Sequence, residues 1–234
     1  VAVIGCGAFA RNVHLPNIGN VPSLRLSAVC DLKESLARTE CAKYGADYAT
    51  DDAAEIFSDD KIDLCIITTP HNTHSTLTLQ AFKAGKHILV EKPMCMTPTE
   101  IDEIIVAAAD AGVIYTVGHN RRYSVLSERA RALLGNRPKP WMISYRMVDQ
   151  IWSHPWALDP EIGGGRLISE AGHIFEWLYF LIASEPTQIH AHGGVLTHTN
   201  SRVSQDNSVM TIAFDDGSLA AVMHGDMGHQ DLPK

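Results

Sequence analysis

The chain opens on a short apolar run, Val1 to Ile4, followed at once by Gly5-Cys6-Gly7-Ala8-Phe9-Ala10, and no other feature limits the possible folds so sharply. In a strand followed by G-x-G-x-x-A, the first glycine permits a tight turn and the second lets a pyrophosphate approach the backbone. The small Ala10 lets the following helix pack close to the strand. That helix is predicted to run to about Ile18, with Gly19 as its stop. Its N-terminus offers free N–H groups and the positive end of a dipole to an anion. A plain glycine-rich turn would give the same six letters, so the context matters. Leu24 to Cys30 reads as a second strand ending in Asp31, at the spacing where an acidic residue takes the ribose hydroxyls of an adenosine.

Strands and helices then alternate. Ser35 to Tyr44 is a predicted helix stopped by Gly45, Ala53 to Phe57 a helical turn, and Ile62 to Thr69 a strand closed by Pro70. A helix capped by Asn72 or Thr73 runs to Ala84, and the apolar Ile88-Leu89-Val90 forms the next buried strand. Thr97-Pro98-Thr99-Glu100 is a capping box with proline at the first helical position. The helix it starts carries Ile101, Ile104, Ile105 and Ala108 on one face and ends at Gly112, before a closing strand from Val113 to Val117. Such alternation predicts a parallel, doubly wound sheet. Ligands of these sheets bind outside the carboxyl ends of the strands. Glu91-Lys92-Pro93 follows the strand at that end, so Lys92 points at a bound molecule unless it simply pairs with Glu91.

Beyond Gly118 the pattern changes. A helix from Ser127 to Leu134 and a half-exposed strand from Trp141 to Val148 are followed by a loop with Trp152, His154 and Trp156. Gly163-Gly164-Gly165 leads into a helix from about Arg166 to Ala183. Strands follow at Gln188 to Leu196, Ser208 to Phe214 and Ser218 to His224, the last two joined as a hairpin by Asp215-Asp216-Gly217. The predicted division is a dinucleotide-binding domain over 1–118 and an α+β substrate domain over 119–234. The second has an open, mostly antiparallel sheet and is expected to be C-terminally incomplete. An exposed apolar sheet face and an unpaired edge would then leave a chain of this length prone to aggregate.

A net charge of -8 argues against nucleic-acid or anionic-membrane partners, which clustered Lys and Arg normally hold. No apolar run approaches the roughly 20 residues that span a bilayer. The five cysteines show no metal-type pairing and read as thiols in a reducing compartment, so a cytoplasmic protein is expected. Of the twelve histidines only His190 and His192 fall close together, with no carboxylate or cysteine beside them, and no metal site is expected.

Together, VIGCGAFARNVHLPNI, TTPHNTHSTLTLQAFKAGKHILVEKPM, VGHNRRYS and GGGRLISEAGH resemble the glucose-fructose oxidoreductase, inositol dehydrogenase and MocA-type family along essentially the whole chain. The resemblance implies a Rossmann domain followed by an α/β domain whose open sheet forms the substrate wall and an interface between copies, hence a homo-oligomer. Carried over by position, it implies that Gly5, Gly7, Ala8 and Phe9 hold the pyrophosphate and Asp31 the ribose. Thr69, Pro70, Asn72 and His74 would line the cofactor, with Glu91 and Lys92 on the nicotinamide side. Family members usually present Asp-x-x-x-His on the helix after the glycines; the matching positions here are Ser169 and His173, and Glu170 lies one residue along. At i, i+3 on a helix Glu170 could still meet His173.

The implied reaction removes a proton from a secondary alcohol of a sugar, sugar nucleotide or polyol as its hydride leaves for a nicotinamide. Histidine suits that proton transfer near neutrality, so His173 is the expected acid/base and Lys92 the cation that stabilises the developing alkoxide. A buried structural imidazole is the competing reading of His173. Arg121, Ser169 and Glu170 are the candidate substrate contacts, and Arg121 could equally serve an ion pair. Trp152 and Trp156 could face a sugar ring or simply pack under a loop. NAD is expected over NADP, because Asp31 would repel a 2'-phosphate. Two rival classes keep the same dinucleotide loop: a glycosidase that uses NAD transiently, and a non-catalytic dinucleotide sensor.

Overall fold

The structure is a computed structural model and describes residues 1–151, 154–197, 205–229 and 231. The chain divides into two compact units, Val1–Gly118 and His119–Lys234.

In the first unit, β1 (Ala2–Ile4), β2 (Ala28–Cys30), β3 (Tyr48–Thr50), β4 (Leu64–Ile67), β5 (His87–Val90) and β6 (Tyr115–Val117) form one parallel sheet in the order β3-β2-β1-β4-β5-β6. This is the doubly wound arrangement, whose strand order reverses between β1 and β4. Alternation along β1 shows why the strands are apolar throughout. Ala2 and Ile4 join a core with Ile56, Ile67, Phe82 and Ile104, while Val3 joins Leu15, Ile18, Val29 and Ile66 on the other face. Only Ala28 to Cys30 of the predicted second strand pairs in the sheet, and the three-residue β3 was not expected, being too short to show a period.

Glycine is required at Gly5, where φ is 95° and a Cβ would sit 2.9 Å from the backbone of Thr68. The helix it opens passes through a π-helical turn, Ala10–His14, before α1 (Leu15–Ile18), and α2 (Glu34–Tyr44) and α3 (Ala53–Ser58) follow β2 and β3. A 3-10 turn, His71–Thr73, precedes α4 (His74–Lys83) in place of the predicted side-chain cap. Thr73 Oγ1 instead donates to the Pro70 carbonyl at 2.7 Å.

The capping box of α5 (Pro98–Ala111) forms: Glu100 N–H donates to Thr97 Oγ1 at 3.3 Å and Thr97 N–H to Glu100 Oε2 at 2.9 Å. Thr97→Ala is expected to lower stability to urea by about 1 kcal/mol, and an unchanged unfolding midpoint would deny the cap that role. The expected apolar face of α5 is corrected. Ile104 is buried, but Ile101 and Ile105 are 38% and 59% exposed, because the helix touches its core along a narrower stripe than the four residues suggested.

In the second unit, β7 (Met142–Val148), β8 (Pro186–Gly194), β9 (Asn207–Phe214) and β10 (Leu219–Gly225) form a sheet in the order β7-β10-β9-β8. β9 runs antiparallel to both neighbours and β10 parallel to β7. After α6 (Val125–Leu134) and α7 (Pro155–Leu158), the helix α8 (Gly172–Ile182) covers one face, burying Ile174, Leu178 and Ile182 against Met147, Met210, Ile212, Phe214 and Val222. Met142, Val209, Leu219 and Met223 stay exposed.

The three glycines before α8 have separate reasons. A Cβ at Gly163 would fall 2.3 Å from the Ala157 Cα, and Gly164 and Gly165 have φ of 75° and 77°. A π-helical turn, Leu167–Ala171, then runs into α8. The adjoining Arg166 is fully buried, with Nε 2.9 Å from Asp226 Oδ1 and Nη2 3.3 Å from Asp149 Oδ2. No helix of the described residues is long and apolar enough to cross a membrane.

Candidate functional site

The carboxyl ends of β1, β2, β4 and β5 bring together the motif residues of the first unit. Gly5 N–H donates to the Cys30 carbonyl at 2.7 Å and Thr68 Oγ1 to the Gly5 carbonyl at 2.6 Å, which fixes the glycine turn between β2 and β4. Gly7, Ala8 and Phe9 are exposed at the head of the helix, and nothing lies within 4 Å of the point where a Gly7 Cβ would be. That open backbone with its N–H groups suits a pyrophosphate. Burial pushes the neighbouring Cys6 thiol up to about 12, so no thiolate opposes an anion there.

Asp31 is held from both sides: Oδ2 accepts from Cys6 N–H at 2.8 Å and Oδ1 from Lys33 N–H at 2.9 Å. The carboxylate is therefore oriented, and each oxygen retains capacity for a ribose hydroxyl. Asn72 and Pro70 are exposed and Thr69 half-buried. His74 sits deeper, at 0% exposure, with Nδ1 2.7 Å from the Pro93 carbonyl and Nε2 2.9 Å from that of Thr69. Burial lowers its pKa against the pull of the two carbonyls. It ties the loop after β4 to the loop after β5.

Lys92 is half-buried just beyond β5. Glu91 beside it turns aside: its Oε1 is 2.8 Å from His14 Nε2, and its Oε2 accepts from Lys92 N–H at 3.3 Å. The carboxylate also packs on Gly118, where a Cβ would lie 2.9 Å from Oε1. Sequence reasoning missed His14, which is 77 residues from Glu91 and carries no local signal of the pairing. A cavity of about 490 Å³ in this unit, lined by Val1, Ser27, Asp63 and His87 among others, lies at the amino ends of the strands, away from these groups.

In the second unit His173 is 7% exposed, and its ring meets that of His119 edge-on, 6.1 Å between centroids and 79° between planes. His119 was quoted in the sequence motif but given no role; its ring also lies 3.7 Å from the position of a Gly172 Cβ. Ser169, 1% exposed, donates its hydroxyl proton to the Gly163 carbonyl at 3.1 Å, closing the glycine turn. Toward anything else it can act only as an acceptor. Glu170 Oε2 is 3.8 Å from Arg121 Nη2, and Arg121 Nη1 donates to the Tyr145 hydroxyl at 3.0 Å. The expected helical spacing from Ser169 and Glu170 to His173 is altered, because Leu167–Ala171 is wound as a π turn, a feature frequent at functional sites. Arg122 forms an ion pair with Glu176. Trp156 is 43% exposed, and Trp152 lies outside the described residues.

The family model described as "Oxidoreductase family, NAD-binding Rossmann fold" (GFO_IDH_MocA) matches residues 1–119, and "GFO/IDH/MocA C-terminal domain" matches residues 137–230. The myo-inositol 2-dehydrogenase of Thermotoga maritima is 26% identical over 227 residues, covering 95% of this chain and 67% of its own length. The scyllo-inositol 2-dehydrogenase (NAD(+)) of Bacillus subtilis is 29% identical over 228 residues, covering 94% of this chain and 65% of its own. The chain thus spans about two thirds of these relatives. Among solved structures, GenD2 from gentamicin A biosynthesis, in complex with NAD, matches with a TM-score of 0.89 at 24% identity, over 97% of this chain and 66% of that one, a likeness of fold.

Proposed function

The chain belongs to the Gfo/Idh/MocA oxidoreductase family, and on that premise we propose that it serves hydride transfer between a nicotinamide dinucleotide and a secondary alcohol of a sugar, sugar nucleotide or polyol. One observation carries the reading: Lys92 leaves the sheet at the same row of strand ends as the open Gly5–Gly7 turn and the oriented Asp31. Gly7, Ala8 and Phe9 would hold the pyrophosphate, Asp31 the ribose, and Thr69, Pro70 and Asn72 the face of the dinucleotide. Bound nicotinamide supplies the hydride acceptor. Lys92 donates to the substrate hydroxyl and stabilises its developing negative charge, and His173 takes the proton. Arg121 and Glu170 contact substrate oxygens. The exposed face of the second sheet, with Met142, Val209, Leu219 and Met223, suits a second copy of the chain.

The test is a screen of polyols and sugars with the full-length protein, following NADH absorbance; no turnover on any of them despite tight NADH binding would favour the sensor reading. NAD is expected to bind at least about tenfold more tightly than NADP, a difference of about 1.4 kcal/mol. The Asp31 carboxylate accepts from a 2'-hydroxyl but repels a 2'-phosphate; the adjacent Leu32, 92% exposed, offers no cation, and Lys33 beyond it is the neighbour that could offset the repulsion. Asp31→Ala is expected to narrow the ratio. Equal affinities in the unmodified protein, read by fluorescence titration, would overturn the assignment.

A further inference from the structure

At the head of the first helix the rings of Phe9 and His14 meet edge-on, 5.4 Å between centroids and 69° between planes. In a regular α-helix residues at that separation in sequence point about 140° apart, onto different faces. The π turn Ala10–His14 removes the difficulty: Leu15 N–H donates to the Ala10 carbonyl, and winding of that i to i+5 kind brings such residues onto one face. His14 is fixed in turn. Its Nε2 is 2.8 Å from Glu91 Oε1, with side-chain exposures of 14% and 13%, and this shielding makes the contact stronger than an exposed pair would be. Glu91 is itself held by the Lys92 backbone N–H at Oε2 and by the room that Gly118, just past β6, leaves for its carboxylate. Phe9, by contrast, is 42% exposed, beside the open backbone of Gly7 and Ala8.

The strand order decides which half of a dinucleotide these contacts serve. Asp31 follows β2, the glycine turn follows β1, and Glu91 follows β5, beyond β4. With the adenosine ribose at Asp31 and the pyrophosphate at the turn, the nicotinamide half runs toward β4 and β5. That is the side to which His14 ties the Phe9 ring. An apolar ring already fixed there loses little freedom when a ligand arrives, and so binds it more tightly than a mobile one.

We propose that His14 is a positioning residue for Phe9: braced by Glu91, it fixes the exposed ring as a preformed apolar contact for the nicotinamide half of the dinucleotide. The proposal rests on the dinucleotide reading above and deepens it. Without His14 the Phe9 ring loses its edge contact, and a ligand must then pay the cost of ordering it.

The experiment titrates NADH by fluorescence, and displaces it with ADP, in the full-length protein, Phe9→Ala, His14→Ala and the double variant. ADP carries the adenosine and the pyrophosphate but no nicotinamide. Each single variant is expected to weaken NADH about fivefold or more, the size of one lost aromatic contact, and ADP by less than about twofold. Because His14 acts through Phe9, the double variant is expected to bind NADH within about twofold of Phe9→Ala, a non-additivity that an independent structural role would not produce. Unchanged NADH affinity in either single variant, equal losses for NADH and ADP, or losses that multiply in the double variant overturn the proposal and leave the dinucleotide reading standing. Should His14→Ala not fold, His14→Gln keeps a donor for Glu91 but no ring for Phe9 and carries the same expectation. An unmodified protein that binds neither NADH nor ADP overturns the dinucleotide reading, and the proposal with it.

Discussion

Lys92→Ala is expected to reduce turnover by a factor of about 100 or more while leaving NADH affinity within a few-fold of the unmodified protein, as for removal of a donor that acts mainly in the transition state. The separation of the two effects follows from the architecture. The groups proposed to hold the dinucleotide, Gly5 to Phe9 and Asp31, are fixed by hydrogen bonds among β1, β2 and β4 that do not involve the Lys92 side chain. The backbone at the end of β5 is likewise set independently, since Glu91 N–H donates to the Ile67 carbonyl and the Pro93 carbonyl meets His74. Stopped-flow turnover and fluorescence titration of the same preparation separate binding from chemistry. His173→Ala is expected to act similarly and to remove the acid limb of the rate profile. Ser169→Asp probes the departure from the family pattern, and the Gly163 contact adds a second consequence. A carboxylate there cannot donate to that carbonyl, so gained activity would have to come despite a weakened glycine turn. If Glu170 has taken the relay role, Glu170→Gln is the damaging change. Full activity in both Lys92→Ala and His173→Ala would remove them from the chemistry.

The fold was legible because the parallel sheet is written in short-range terms: apolar runs, a glycine turn, a capping box and glycine stops each act within a few residues. What the sequence concealed acts over long separations or through irregular winding. The short β3 exists because Ala28 to Cys30 offers it a partner, not through any period of its own. The π turns at Ala10–His14 and Leu167–Ala171 cannot be told from α-helix by apolar spacing, yet they decide where His14 ends and how Ser169 and Glu170 are presented. Glu91 and His74 read from their motifs as cofactor contacts. Their partners, His14 for the one and the Thr69 and Pro93 carbonyls for the other, are contacts that no local pattern in the sequence carries.

Arg166→Ala is expected to cost about 3–5 kcal/mol, a large fraction of the roughly 5–15 kcal/mol that holds a domain together. Arg166 and Asp226 are both at 0% side-chain exposure, and Asp149, at 19%, meets the same guanidinium from the end of β7. The cost comes chiefly from leaving buried carboxylate charge without the guanidinium that meets it, rather than from the lost attraction itself. All four tryptophans lie between Trp141 and Trp177, so tryptophan fluorescence in urea follows the second unit. On this account Arg166→Met, which restores bulk but not charge, should be nearly as damaging as Arg166→Ala. Adding Asp226→Asn to Arg166→Met should recover part of the loss, since the buried carboxylate is then neutral. If Arg166→Met alone matched the unmodified protein, filling the space would be the real task of the side chain. The glycine turn and the π turn that carry Ser169, Glu170 and His173 would then owe their placement to packing, not to the buried charge.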